Sequence, residues 1–486
     1  MHACTSAKLS VSRTQPVIFV LTTPPFDAVI ANVTHNKTDH HLRNFSYSKH
    51  GAEIWWIRAL VSQEMASWRT DDWKCADFIV PPLLLGFCAR SQNKGHGACA
   101  ANKKALQSIQ HHASFASKDN PYLIVATDWH LHKRKVLPRQ PAGGLIMGTK
   151  LPSNPDIGQA HSVIVPMVSS LSKVSPVYRI PDHRPAWGQV QPAPGFDGPD
   201  DTLRALKETA PVLPHPFHRV WRARAVRSFF VGQTEETGEH VKQSGSRTHG
   251  YEDRRKVMRT LALVDQSTLT AAGTAVIDVF ATTSKPKACE DHKRPGSSTK
   301  SAQACASTSA PSSPRARCAL NCTTAPLACV NCNFAQKDQY APLIHQSQFG
   351  WHFRGDTDCS NRLYDVLMAG AVPLLVGVEL CESLPFRRQV PWCEMIKIID
   401  REGYLGDATT LDLESDVEHA AVQTAMLWRH APSVLWQVDP QTVARRVLTE
   451  AHLQRWAVSN TKKQIDRHRG SSARNFSALV QKMCCA

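Results

Sequence analysis

The stretch from residue 349 to 399, FGWHFRGDTDCSNRLYDVLMAGAVPLLVGVELCESLPFRRQVPWCEMIKII, constrains the fold more than any other part of the chain. It reads as loop, helix, strand, turn and strand. A polar loop over 354–358 leads to Ser360, a good helix N-cap, after which Leu363, Val366 and Leu367 recur at the spacing of one helical face. Gly370 then ends the helix. Residues 371–378 are a short apolar run of the kind buried in a parallel sheet, where Pro373 is tolerated only near the start of the strand.

A loop carrying arginine and serine into a helix N-terminus has the makings of an anion site, because unpaired N–H groups and the positive end of the helix dipole face the ligand. A diphosphate suits it. Arg354 and Arg362 can add charge-assisted hydrogen bonds to phosphate oxygens, while Asp365 can accept from sugar hydroxyls or hold Arg362 one turn earlier. The same residues also fit a plain surface helix with an i,i+3 ion pair.

The segment resembles the exostosin family, glycosyltransferase family 47. The resemblance rests on Arg354, Gly355, Asp356, Thr357, Ser360, Arg362, Asp365, Ala369, Gly370 and Pro373, followed by Leu384, Pro385, Phe386 and Trp392 in the family's order. Three positions depart from the pattern: Phe353-Arg354 stands for the usual proline-containing pair, Ala371 for a cysteine, and Arg387 for a glutamate.

Composition bounds the remaining choices. A chain of 486 residues with 42% apolar residues and 12 tryptophans can build two domains, each with its own core. Its net charge of +16 favours polyanionic partners in general, from nucleotides to acidic polysaccharides, nucleic acid or anionic membranes. No helix-turn-helix, RNP or zinc-finger pattern accompanies that charge, so a nucleic-acid partner is not expected. Sequons at Asn32, Asn36, Asn44, Asn321 and Asn475 hint at a lumenal surface, and the odd number of cysteines, 15, leaves at least one thiol unpaired. No uninterrupted run of about twenty apolar residues offers a membrane span.

Taken in order, residues 1–15 have no apolar core and do not read as a signal peptide. Residues 16–22, PVIFVLT, read as the first buried strand, and Glu53 to Ser67 as a helix with Ile54, Ile57, Leu60, Val61 and Met65 on one face. RTDDWKCADFIVPP resembles a second family pattern through Arg69, Thr70, Ala76, Asp77, Phe78, Pro81 and Pro82, with a strand over 78–80 and Asp77 as a cap or turn residue. A strand over 122–126 empties Asp128, His130 and His132 at its carboxyl end, where open α/β sheets bind ligands. Asp128 is there either a catalytic base or the cap of a following turn; Asp128 and Trp129 match a family stretch in which His130 replaces a glycine.

Residues 162–166 read as another strand, and the next fifty, rich in proline and glycine, as loop and interdomain connection. AVRSFFVG over 225–232 resembles the strand opening the family's second domain; Gly232 at its end lines the nucleotide cleft and Arg227 is structural. From 282 to 326 Ser, Thr, Ala, Pro, Lys and Arg replace large apolar residues, so this insertion is expected to be disordered. Cys318, Cys322, Cys329 and Cys332 close it, as disulfides or free thiols rather than a zinc site. Residues 413–436 and 440–456 are amphipathic helices, and 462–474 form a basic tail.

These readings give an α/β protein with an N-terminal segment (1–15), two Rossmann-like domains (16–220 and 221–460) and a tail (461–486). The resemblance implies the GT-B arrangement, in which the two domains face across a cleft. It also implies inverting transfer of a sugar from a nucleotide diphosphate sugar, UDP being the expected nucleotide, to a glycan hydroxyl. Asp128 would be the base, with His130 as the alternative, and Gly232, Arg354, Gly355, Asp356, Thr357, Ser360, Arg362, Asp365 and Gly370 would form the donor site. No metal cofactor is expected, since arginines and a helix terminus neutralise the leaving group. Golgi residence and association with itself or another glycosyltransferase follow from the same resemblance. A catalytically inactive partner or glycan-binding subunit is the alternative, on account of Ala371, Arg387 and the insertion.

Overall fold

The computed structural model describes residues 15–35, 39–127, 137, 139–149, 162–171, 221–224, 226–232, 253–254, 277–282, 329–333, 340–341, 344–354, 360–401, 417–461 and 484. The expected disordered insertion lies outside them except for Thr282, as do Cys318, Cys322, Asp128, His130, Gly355, Asp356, Thr357 and the whole basic stretch 462–474. The chain forms two compact units: Met1–Arg184 with Cys381–Trp392 and Arg429–Ala486, and Pro185–Leu380 with Cys393–Trp428.

The first unit carries a parallel sheet of β1 (Ile18–Val20), β2 (Phe78–Val80), β3 (Tyr122–Val125), β4 (Leu145–Thr149) and β5 (Ser162–Ile164), in that spatial order. β2 and β3 are buried along their whole length, which is why both read as continuous apolar runs. Between β1 and β2 run α1 (Phe26–Thr34), α2 (His40–Ser46) and α3 (Ala52–Val61); α4 (Leu85–Ala89) and α5 (Gly97–Ser108) lie between β2 and β3. α3 is shorter than its apolar spacing predicts. Ser62 is extended, with φ −68° and ψ 158°, and the chain resumes as a 3-10 helix over Gln63–Trp68 that still buries Met65.

Asp77 has the structural role expected of it. Its Oδ2 accepts from the Val17 amide at 2.7 Å, joining the chain entering β1 to the chain entering β2, at the amino ends of the strands. The Cys88–Cys99 disulfide ties α4 to α5.

The second unit carries a parallel sheet in the order β11-β10-β9-β6-β7-β8. Its strands are β6 (Val226–Gly232), β7 (Ile277–Thr282), β8 (Cys329–Asn333), β9 (Ser347–His352), β10 (Val372–Val376) and β11 (Lys397–Ile399). Cys329 and Cys332 therefore lie within a strand, β8. The sheet grows in one direction from β6 to β8 and in the other from β9 to β11, so the order reverses between β6 and β9. α6 (Asn361–Met368) connects β9 to β10, and α7 (Val417–His430) follows β11.

The last helix, α8 (Pro440–Thr461), was expected at the end of the second domain, but it belongs to the first unit. It packs on α3 and β5 and buries Val443, Ala444, Val447, Leu448 and Ala451. An amphipathic face needs an apolar partner, and burying each large aliphatic side chain is worth about 1.5–3 kcal/mol wherever along the chain that partner lies. Arg455 adds hydrogen bonds to the Asp77 and Asp119 carbonyls, and Cys381–Cys484 ties the chain's end to the same unit.

Candidate functional site

The site in the second unit is built on β9, α6 and β10. β9 and β10 are almost wholly buried, and a Cβ on Gly350 would run into both methyls of Val366. Glycine at 350 is thus what lets α6 lie close on the sheet. Ser360 caps that helix: its backbone is extended, at φ −136° and ψ 143°, and its Oγ accepts from the Arg362 amide at 3.3 Å. At the other end Gly370 takes φ 64°, with Ala371 N donating to Val366 O (3.0 Å) and Gly370 N to Leu367 O (2.9 Å). This pair of bonds is a Schellman motif, which requires the left-handed residue that glycine supplies. Start and stop of α6 fall where the sequence places them.

Arg224, which sequence reading did not single out, fixes the assembly from beneath. Its guanidinium donates to Ser347 O (2.7 Å), Gly370 O (2.9 Å) and Ala369 O (3.0 Å), joining the start of β9 to the end of α6.

At the carboxyl ends of the strands, Phe230 of β6 meets Phe353 just past β9, with ring centroids 5.0 Å apart. Two guanidinium groups lie against the Phe230 ring, Arg362 at 5.3 Å and Arg254 at 5.7 Å. Arg254 is buried and donates to the Arg354 carbonyl at 2.8 Å; its neighbour Asp253 holds Arg401 in a bidentate pair at 2.8 and 2.9 Å. Arg362 and Arg254, the latter not singled out by the sequence, thus share one aromatic ring near the end of β6 at Gly232, and Arg254 holds the Arg354 carbonyl beside it. Asp365 is buried and accepts from Tyr340 Oη (3.0 Å) and Asn361 Nδ2 (3.3 Å), bonds that anchor it within the helix and its surroundings.

The first unit holds a second polar cluster at the carboxyl ends of β2 and β3. Glu53 of α3 is completely buried. Its carboxylate accepts from the Gly86 amide at 2.7 and 2.8 Å and from the Thr127 amide at 3.0 Å, with the Thr127 hydroxyl 3.3 Å away. That hydroxyl donates to the His50 carbonyl at 2.6 Å, and His50 Nδ1 donates to the Thr127 carbonyl at 3.2 Å. Burial pushes the Glu53 carboxyl up to about 7, while the Thr127, Gly86 and Phe87 amides pull it back. Glu53 was missed because in sequence it is only the polar first-turn residue of an amphipathic helix. Thr127 directly precedes Asp128 in the chain.

No protein-family model matches the sequence, and no curated protein matches it. Among solved structures the chain is similar to an α,α-trehalose-6-phosphate synthase from Burkholderia multivorans, at 9% identity and a TM-score of 0.30, over 90% of this chain and 84% of that one. It is also similar to a UDP-forming α,α-trehalose-phosphate synthase from Burkholderia xenovorans, at 12% identity and a TM-score of 0.26, over 76% of this chain and 80% of that one. Likeness at this level bears on neither activity nor substrate.

Proposed function

We propose that the chain is an inverting GT-B glycosyltransferase akin to the exostosin family, transferring a sugar from a nucleotide diphosphate sugar, with UDP the expected nucleotide, to a glycan hydroxyl. The observation that carries this reading is the reversal of strand order between β6 and β9. Open parallel sheets bind ligands beyond the carboxyl ends of the strands at such a reversal. The loop after β9 and the capped start of α6 follow directly from that point, bringing Arg354 and Arg362 with them.

In the proposed reaction the acceptor oxygen attacks the anomeric carbon. The bond from that carbon to the diphosphate breaks, and its electron pair leaves on the phosphate oxygen. Arg354, Arg362 and the amides near Ser360 offset the charge that develops there, while Gly232, Gly355, Asp356 and Thr357 complete the donor cradle. Asp128, or alternatively His130, takes the proton from the acceptor hydroxyl. The arginines and the helix terminus do the work that a metal does in other transferases, so turnover is expected to persist in EDTA.

The Cys88–Cys99 and Cys381–Cys484 disulfides and the exposed sequon at Asn44 fit an oxidising, lumenal compartment, and the Golgi is the proposed site of action. No helix among the described residues is long and apolar enough to cross a membrane.

The test is a panel of UDP-sugars with oligosaccharide acceptors, followed by release of UDP and by NMR of the product's anomeric configuration. Transfer with inversion, reduced on the order of a hundredfold or more in Asp128→Ala, supports the reading. UDP binding without transfer to any acceptor would identify an inactive, exostosin-like partner subunit instead.

A further inference from the structure

Glu53 is the one carboxylate of the first unit's strand-end cluster that the proposed reaction leaves without a task. Its burial excludes contact with a substrate. It nevertheless joins three separate pieces of chain: α3 carries it, Gly86 lies in the first turn of α4 after β2, and Thr127 stands two residues past β3. The fit is tight, since a Cβ on Gly86 would lie 2.9 Å from both Glu53 Oε1 and Thr127 Oγ1. His50 closes the ring by exchanging hydrogen bonds with Thr127 through both its ring and its carbonyl.

We propose that Glu53 is a positioning residue for the acceptor side of the reaction, fixing Thr127 against the start of α4 and with it the point from which the chain departs toward Asp128. The inference rests on the reading of Asp128 as the base. The Glu53 carboxyl accepts from two backbone amides, so the side chain controls main-chain position rather than another rotamer. Both amides converge on Glu53 Oε1, so a glutamine keeps the acceptor they use, whereas a methionine of similar size fills the same space and accepts from neither.

The experiment is amide hydrogen exchange on the full chain, comparing wild type with Glu53→Met, with UDP titrated into the same samples. Glu53→Met is expected to speed exchange at the Gly86 and Thr127 amides by roughly tenfold to a hundredfold, the equivalent of one buried hydrogen bond lost at each. Exchange in β9 and α6 and the affinity for UDP should stay within about twofold. Glu53→Asp, which keeps the carboxyl but shortens the reach, should show the same local pattern at smaller amplitude and serves if the methionine variant does not fold. With an active donor and acceptor pair, kcat should fall about tenfold or more while the donor KM holds. Unchanged exchange at both amides, exchange accelerated evenly through all strands of the first unit, or an unchanged kcat would each overturn the proposal. Absence of UDP binding by the wild type would count against the glycosyltransferase reading, while the exchange pattern would still decide whether Glu53 holds Thr127.

Discussion

At the scale of single residues, the two polar clusters obey different rules. Arg362 and Arg254 lie against one aromatic face, and Arg254 donates to the Arg354 carbonyl, so two cationic groups sit beside the start of the loop after β9. Glu53 is instead surrendered to the interior, and its pH response follows from that. Its folded value, about 7, lies above the ordinary 4.5, so folding favours the protonated form. The resulting stabilisation is complete below about pH 4.5 and is lost as pH rises through 7. The interval from 4.5 to about 7 corresponds to roughly 3 kcal/mol. Urea denaturation across pH 4.5–8.5 should therefore show wild type losing about that much relative to Glu53→Gln, whose side chain does not titrate. Parallel stability curves for the two proteins would mean that Glu53 is ionised throughout. Ser360→Ala should cost about 1 kcal/mol, the usual value of an N-cap, measured in the same way.

At the scale of elements, the segment from β9 to β10 was legible because its signals are local. Ser360 begins α6, Gly370 ends it, and Leu363, Val366 and Leu367 repeat on one face and are all buried. β2 and β3 were legible for the same reason, as unbroken apolar runs. Three features were not. α3 stops at Val61 although its apolar spacing continues to Met65, because a 3-10 helix can bury the same residue after one extended position. Arg224 and Arg254 act through carbonyls a hundred or more residues away, and no local pattern announces such partners. Gly350 reads as an ordinary strand glycine until α6 is seen lying on it. Gly350→Ala is accordingly expected to destabilise the protein by about 1–3 kcal/mol, as overpacking does. Adding Val366→Ala should recover part of that loss in thermal melts. A single mutant as stable as wild type would show that the strand and helix are not in close contact.

At the scale of the whole molecule, the division into two parallel α/β units followed from the strand and helix order, but the path between them did not. Residues 381–392 and the helix α8 return to the first unit, because their apolar faces find partners there and Cys484 bonds to Cys381. The order of the second sheet, with its reversal between β6 and β9, depends on pairings between distant strands and could be seen only once the chain was folded. Reduction offers a test at this scale. Opening Cys88–Cys99 and Cys381–Cys484 should remove about 2–4 kcal/mol for each bridge and lower the melting temperature accordingly. An unchanged melt in reductant would argue that the bridges do not form in the folded chain and would weaken the case for a lumenal protein.

The central claim is that the strand reversal in the second unit forms a nucleotide diphosphate site, and calorimetric titration of the full chain with UDP tests it most directly. Arg362→Ala should weaken binding by ten- to a hundredfold, the worth of about 1.5–3 kcal/mol for a charge-assisted hydrogen bond, while the melting temperature stays near that of wild type. UDP binding of equal strength in wild type and Arg362→Ala, or no binding of any nucleoside diphosphate by the wild type, would contradict the account.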